Sequence, residues 1–125
     1  MLTVHHLNNS RSQRVLWLLE ELGVPYDIKK YERDATTMLA PDSLRKVHPL
    51  GKSPVITDGP LTIAESGAII EYLVETYGGQ ATGEIATLWP KSGTPAHRQC
   101  RFWMHYAEGS LMNWLVMKLV FQVIP

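Results

Sequence analysis

Apolar and β-branched residues run from Leu2 to Leu7 broken only by His5-His6, the pattern of a short strand. Asn8-Asn9 follows as a turn. Ser10-Arg11-Ser12-Gln13 then places a Gln three positions after a Ser, the capping box that opens many helices. Val15, Leu18, Leu19 and Leu22 recur at i, i+3, i+4 and i+7, so one face of that helix is predicted to be buried. Gly23 stands where a left-handed C-terminal cap belongs, and Pro25 blocks any continuation. Tyr26 to Tyr31 alternates as a second strand. Strand, helix and strand in such short compass make a βαβ unit, whose two strands are expected to be parallel.

Glu32 to Pro49 is polar and irregular, with one helical segment expected over Asp42 to Val47. Ser53 to Thr57 reads as a third strand, Asp58-Gly59 as a tight turn and Leu61 to Ile63 as a fourth strand. Ser66 can cap a further helix whose buried face is predicted at Ile70, Leu73, Val74 and Tyr77, ended by Gly78-Gly79. The order is βαβ followed by ββα: an α/β domain over residues 1–79 with a four-stranded mixed sheet. Residues 80–95 read as a linker rich in Gly, Pro and small polar side chains. A helical pattern returns over 96–125, with Phe102, Trp103, Tyr106, Leu111, Leu115 and Leu119. Beyond Leu111 that helix is apolar nearly all round, so it is expected to be buried against other helices or another chain. The chain therefore reads as the start of a helical domain that is cut short, and self-association is the expected result.

Twelve Lys+Arg balance twelve Asp+Glu. With no basic excess, binding nucleic acid through its phosphates is disfavoured. Hydrophobic residues at 45% and charged residues at 19% are a globular composition. Cys100 is the single cysteine, so an intramolecular disulfide is excluded and a reducing compartment fits. The N-terminus lacks the basic flank and apolar core of a signal peptide, and Leu111–Ile124 is too short for a membrane span. These features lead to the expectation of a cytoplasmic protein with neither membrane nor nucleic-acid partner. His5 and His6 adjoin on a strand and point to opposite faces, so they cannot chelate one metal together. His48, His97 and His105 show no ligand spacing, and no metal is expected.

Three segments carry a resemblance: Asn9-Ser10-Arg11-Ser12-Gln13-Arg14-Val15 leading into Leu16-Trp17-Leu18-Leu19-Glu20-Glu21-Leu22; His48-Pro49-Leu50-Gly51-Lys52-Ser53-Pro54-Val55-Ile56; and Ala64-Glu65-Ser66-Gly67-Ala68-Ile69-Ile70-Glu71-Tyr72-Leu73. In order and spacing they resemble the cytosolic glutathione S-transferases of a bacterial and fungal subfamily. The likeness covers residues 1–79 and extends into His105–Ser110. It implies a thioredoxin-like domain followed by an all-helical one, a homodimer, glutathione as co-substrate, and a small apolar electrophile met in detoxification.

The resemblance also implies roles. Such a site must hold a thiol as thiolate, although a free thiol has a pKa of about 8.5. Asn9 stands where several classes place Ser or Cys; an amide can donate to sulfur but cannot ionise. Ser10 is the implied hydroxyl donor, with Arg11 supplying charge and Asn9 close behind. Read locally, Ser10 is an N-cap and Arg11 a solvated charge that the helix dipole mildly disfavours. Pro54 is the implied cis proline, which frees the Ser53 backbone to grip glutathione, and Lys52 would face the glycine carboxylate. Without the resemblance, a trans proline and a surface lysine are the plainer readings. Glu65 would take the γ-glutamyl ammonium, while Ser66 and its helix N-terminus take the carboxylate; alone, Ser66 is a plain cap. The implied activity is glutathione transfer. The alternatives are glutathione-dependent disulfide or hydroperoxide reduction, and a noncatalytic binding or dimerisation module.

Overall fold

In a computed structural model of the chain, residues 1–80 and 88–123 are described. The chain forms two compact units, Met1–Ala86 and Thr87–Pro125. In the first, β1 (Leu2–Leu7) and β2 (Asp27–Tyr31) pair in parallel across α1 (Ser12–Leu22), as the βαβ spacing requires. The hairpin of β3 (Val55–Asp58) and β4 (Leu61–Ala64) adds antiparallel to the other side of β1, giving the order β2-β1-β3-β4. α2 (Asp42–Arg45) lies in the long connection between β2 and β3, and α3 (Ser66–Tyr77) follows β4.

Alternation along β1 sorts the core into two layers. Val4 and Leu2 share one face with His6, which bonds to α1 through Ser12. Val15, Leu18, Leu19 and Leu22 of α1 and Ile69, Leu73 and Val74 of α3 are buried, and α1 packs against both β1 and α3. The other face carries Leu7, which clusters with Tyr31 and Leu44. Leu44 anchors α2, a four-residue helix too short to persist without that burial.

Several element ends depart from the sequence pattern. α1 begins at Ser12, with Arg11 at the cap position and no side-chain cap bond. Ser10 thus lies one residue too early for a capping box with Gln13, and the helix amide its Oγ accepts from is that of Ser12, at 3.3 Å. Gly23 does close the helix at φ 64°, where a side chain would be strained, with the Gly23 and Val24 amides bonding back to Glu20 and Leu19. The β3–β4 turn falls at Gly59-Pro60 rather than Asp58-Gly59. Asp58 stays in its strand, where its carboxylate accepts from the phenols of Tyr72 and Tyr77. Those bonds hold Asp58 below the usual carboxylate range and push Tyr77 up to about 12. On α3 the buried row is Ser66, Ile69, Leu73 and Val74. Ile70 and Tyr77, expected on that face, are half-buried.

The second unit is helical. Thr94 caps α4 (Pro95–Tyr106), accepting from the His97 N–H at 3.2 Å, with Pro95 at the first helical position. His97 Nδ1 also donates to the Pro90 carbonyl at 2.9 Å. A single π-helical turn, Ala107–Leu111, separates α4 from α5 (Met112–Val123), where the sequence pattern had suggested one continuous helix. Within this unit by itself α5 is exposed, with Trp114 at 78%. Of the expected linker, residues 81–87 lie outside the described residues. Among the described residues no helix is long and apolar enough to cross a membrane.

His5 supplies a pH test of the sheet. It is buried, bonded to the Tyr31 hydroxyl at 3.0 Å and Thr57 Oγ1 at 3.3 Å. Burial, and secondarily the charge of Lys29, push its imidazole below the ordinary 6.5. A depressed folded value means the stabilisation is complete above 6.5 and is lost as pH falls through the folded value. Amide exchange in β1 should therefore accelerate as pH drops below 6.5, after correction for intrinsic rates, and His5→Gln should flatten that trend. Parallel trends in the two proteins would contradict this assignment.

Candidate functional site

The register gathers three chain breaks at one end of the sheet. β1, β2 and β4 all finish there and β3 begins there, because β3 runs opposite to the other three. His5 pairs with Val55, and Val55 with Ala64. Ser53-Pro54, Glu65-Ser66 and the turn at 8–11 therefore share one end, together with the first turns of α1 and α3. Helix starts present unpaired N–H groups and a partial positive charge, which suits an anion or a thiolate.

Hydroxyl groups meet at this end. Ser53 Oγ donates to the His5 carbonyl at 2.8 Å, and Ser10 Oγ donates to Ser53 Oγ at 3.3 Å. Ser10 Oγ lies 2.8 Å from Ser12 Oγ, which in turn lies 2.7 Å from His6 Nδ1. Ser12 is fully buried, whereas Ser10, Ser53 and His6 are half-buried. The Ser53-Pro54 peptide is cis, as expected from the family pattern.

Backbone conformation marks two further expected positions. Among the described residues three non-glycine positions have positive φ: Asn9 at 50°, Met38 at 58° and Glu65 at 74°. Such conformations cost on the order of 1–3 kcal/mol and concentrate at functional sites. Asn9 and Glu65 are both exposed, so neither is held in place by burial. Arg33 secures the Asn9 turn: Nε donates to the Asn8 carbonyl at 3.1 Å, Nη2 to the Asn9 carbonyl at 3.2 Å, and Nη1 to the Met38 carbonyl at 2.9 Å. The Arg33 N–H also donates to Asn8 Oδ1 at 2.8 Å. Arg11, at the α1 cap position, is half-buried, and Lys52 is exposed in the loop before Ser53. That loop turns on Gly51, at φ 58°, where an added Cβ would stand 2.7 Å from Arg45 Cγ. Ser66 is buried in the first turn of α3.

The structure thus brings Ser10 and Ser53 into direct contact and sets Glu65-Ser66 at the same sheet end. Sequence reasoning missed Ser12, His6 and Arg33. Ser12 was findable, because it precedes Val15, Leu19 and Leu22 on the buried stripe, and a buried hydroxyl must be paired. His6 follows from alternation once Ser12 is placed. For Arg33 the sequence carries no signal.

A family model described as the glutathione S-transferase N-terminal domain matches residues 10–76, more than half of the chain. The chain belongs to the glutathione S-transferase family. Glutathione S-transferase 3 of Schizosaccharomyces pombe is 42% identical over 118 residues, covering 92% of this chain and 44% of that protein. A glutathione S-transferase structure from Actinobacillus pleuropneumoniae is 40% identical, with a TM-score of 0.73 over 82% of this chain and 46% of that one. A theta class glutathione S-transferase from Xanthomonas axonopodis pv. citri, solved with glutathione bound, is 26% identical, with a TM-score of 0.67 over 90% of this chain and 50% of that one. The chain spans about half the length of the Schizosaccharomyces pombe and Saccharomyces cerevisiae glutathione S-transferases it matches. The α/β class read from the strand and helix order, and the thioredoxin-like fold that the resemblance implies, are those of this family's N-terminal domain.

Substitutions at two positions test the local architecture. Arg33→Ala removes three side-chain hydrogen bonds and should accelerate amide exchange at residues 33–39, at a cost of about 1–2 kcal/mol. Unchanged exchange there would show that the turn holds itself. Glu65→Gly should leave the fold as stable or stabilise it by up to about 1 kcal/mol, since glycine adopts positive φ freely. Glu65→Ala lacks that relief, and equal melting temperatures for the two variants would contradict strain at this position.

Proposed function

We propose that the chain is the glutathione-binding part of a glutathione transferase, which binds glutathione and holds its sulfur as a thiolate for attack on a small apolar electrophile. The observation that carries this reading is the contact of the Ser10 and Ser53 hydroxyls at the sheet end that also holds Glu65-Ser66. One extended tripeptide has a thiol, a backbone and a charged γ-glutamyl end, and this end of the sheet offers a partner for each.

In this reading Ser10 donates its hydroxyl hydrogen to the sulfur, with Arg11 and the α1 N-terminus adding positive potential and Asn9 a second, amide donor. The Ser53 N–H and C=O pair with the cysteinyl backbone like an added strand, next to Pro54. Lys52 takes the glycine carboxylate. Glu65 takes the γ-glutamyl ammonium, and Ser66 with the α3 N-terminus takes its carboxylate. The thiolate then supplies the electron pair of a new S–C bond. Either the electrophile's leaving group departs with its bonding pair, or an activated double bond accepts the pair and later a proton.

Residues 1–79 are proposed as the glutathione-binding domain, 80–95 as its linker and 96–125 as the first part of a helical domain that would border the electrophile. A cytoplasmic homodimer with a role in detoxification accords with the family. Cys100, the chain's single cysteine, lies on α4, where burial pushes its thiol up, and the strand-one turn carries none. A second reading follows: the bound thiolate itself attacks a disulfide or hydroperoxide, with no protein thiol needed.

Binding and ionisation separate the assigned roles. Ser66→Ala should weaken glutathione affinity by about tenfold in calorimetry, as expected for a lost hydrogen bond to a charged group. Ser10→Ala should change affinity less, while shifting the thiolate absorbance band to higher pH. Equal losses of affinity in the two variants would defeat this division.

A further inference from the structure

We infer that His6 is a positioning residue which, acting through Ser12, keeps the hydroxyl proton of Ser10 free for a bound sulfur. The inference deepens the proposed function, because it rests on Ser10 as the thiolate donor. It follows from counting protons along a chain of four side chains that starts and ends on neighbouring residues of β1.

A carbonyl oxygen only accepts, so the Ser53 hydroxyl must donate to the His5 carbonyl, 2.8 Å away. Ser53 Oγ is then an acceptor toward Ser10, and Ser10 donates to it across 3.3 Å. A serine has one hydroxyl proton. With that of Ser10 committed to Ser53, the 2.8 Å contact between Ser10 and Ser12 must be filled by the proton of Ser12. Ser12 Oγ in turn has none left for His6, and the 2.7 Å contact requires a proton on His6 Nδ1. The relay therefore runs one way: His6 Nδ1–H to Ser12, Ser12 to Ser10, Ser10 to Ser53, Ser53 to the His5 carbonyl. Adding a second proton to the ring, at Nε2, leaves this direction unchanged.

The direction matters when sulfur arrives. With His6 donating, Ser10 can turn its proton from Ser53 to a thiolate and give up only the longest contact in the chain. Ser12 still fills the shorter one. With the proton on Nε2 alone, Ser12 would donate to His6, and Ser10 would have to donate to Ser12. Turning Ser10 toward sulfur would then leave two hydroxyl oxygens 2.8 Å apart with no proton between them. Ser12 is fully buried, so water cannot repair that contact.

The test has two arms on the full chain. Without ligand, nitrogen-15 NMR of the histidine rings should find the His6 proton on Nδ1, and Ser12→Ala should shift it toward Nε2. A proton on Nε2 alone in the unaltered protein overturns the relay, whatever the chain binds. With saturating glutathione, the thiolate absorbance band is titrated in the unaltered chain, His6→Leu, His6→Asn and Ser12→Ala, each checked for fold by circular dichroism. His6→Leu and Ser12→Ala remove donors that polarise the Ser10 hydroxyl through the relay, so each should require about threefold lower proton concentration to form the thiolate. His6→Asn, whose amide can replace the Nδ1 donor, should restore most of the effect. A band that forms early in the unaltered chain and is unmoved in His6→Leu and Ser12→Ala overturns the role of His6 alone. A band that forms only where free glutathione ionises overturns the proposed function and, with it, the relay's purpose.

Discussion

The His5–Val55 pair is the last of the ladder between β1 and β3, and Pro54, which has no N–H, stands next to it in the loop before β3. The Ser53 hydroxyl takes over, donating to the His5 carbonyl at 2.8 Å. That one side-chain bond fixes where the loop before β3 meets the end of β1. Through it the contact with Ser10 is set, then Ser12, and then His6, so that the hydrogen-bonded path returns to the strand it left. The hydroxyls at the sheet end are thereby tied to the sheet itself, through the His5 carbonyl and His6.

The two adjoining histidines of β1 serve opposite sides of that arrangement. His5 points into the layer shared with Tyr31 and Thr57, where burial favours its neutral form. His6 points to α1 and Ser12. One strand thus ties the hydrophobic interior to the polar end through neighbouring residues. Positive φ at Asn9 and Glu65 shows a similar division: the conformational cost falls on exposed residues at the sheet end, and no buried non-glycine among the described residues has positive φ.

Much of this was legible in the chain itself. The α1 stripe, the parallel β1–β2 pair and Gly23 follow from spacing and from the steric demands of a left-handed residue. What spacing could not place were element ends. Ser10 looks like a cap because it precedes Gln13 by three, yet the left-handed turn at Asn9 delays the helix until Ser12. Ile70 and Ile69 are equally apolar, and only the packing of α3 against α1 and β4 decides which faces inward. The cis Ser53-Pro54 bond was expected from family resemblance and not from local preference. The relay needs contacts 43 and 48 residues apart in sequence, which no local pattern encodes. Arg33 is hidden for a similar reason: two of its three side-chain partners lie 24 and 25 residues away, in the turn after β1.

The π-helical turn at Ala107–Leu111 has its own bearing on the second unit. Such a turn is one residue wider than an α-helical one, and a residue subtends about 100° of an α-helix. It therefore works as an angular offset between two segments of one rod. The ring cluster of Phe102, Trp103 and Tyr106 on α4 and the apolar surface of α5 are indexed separately around the axis. A single-residue deletion within 107–111 would preserve helicity yet swing everything after it by roughly a quarter-turn or more. In this segment the count of residues, more than their identity, sets which way the later side chains look.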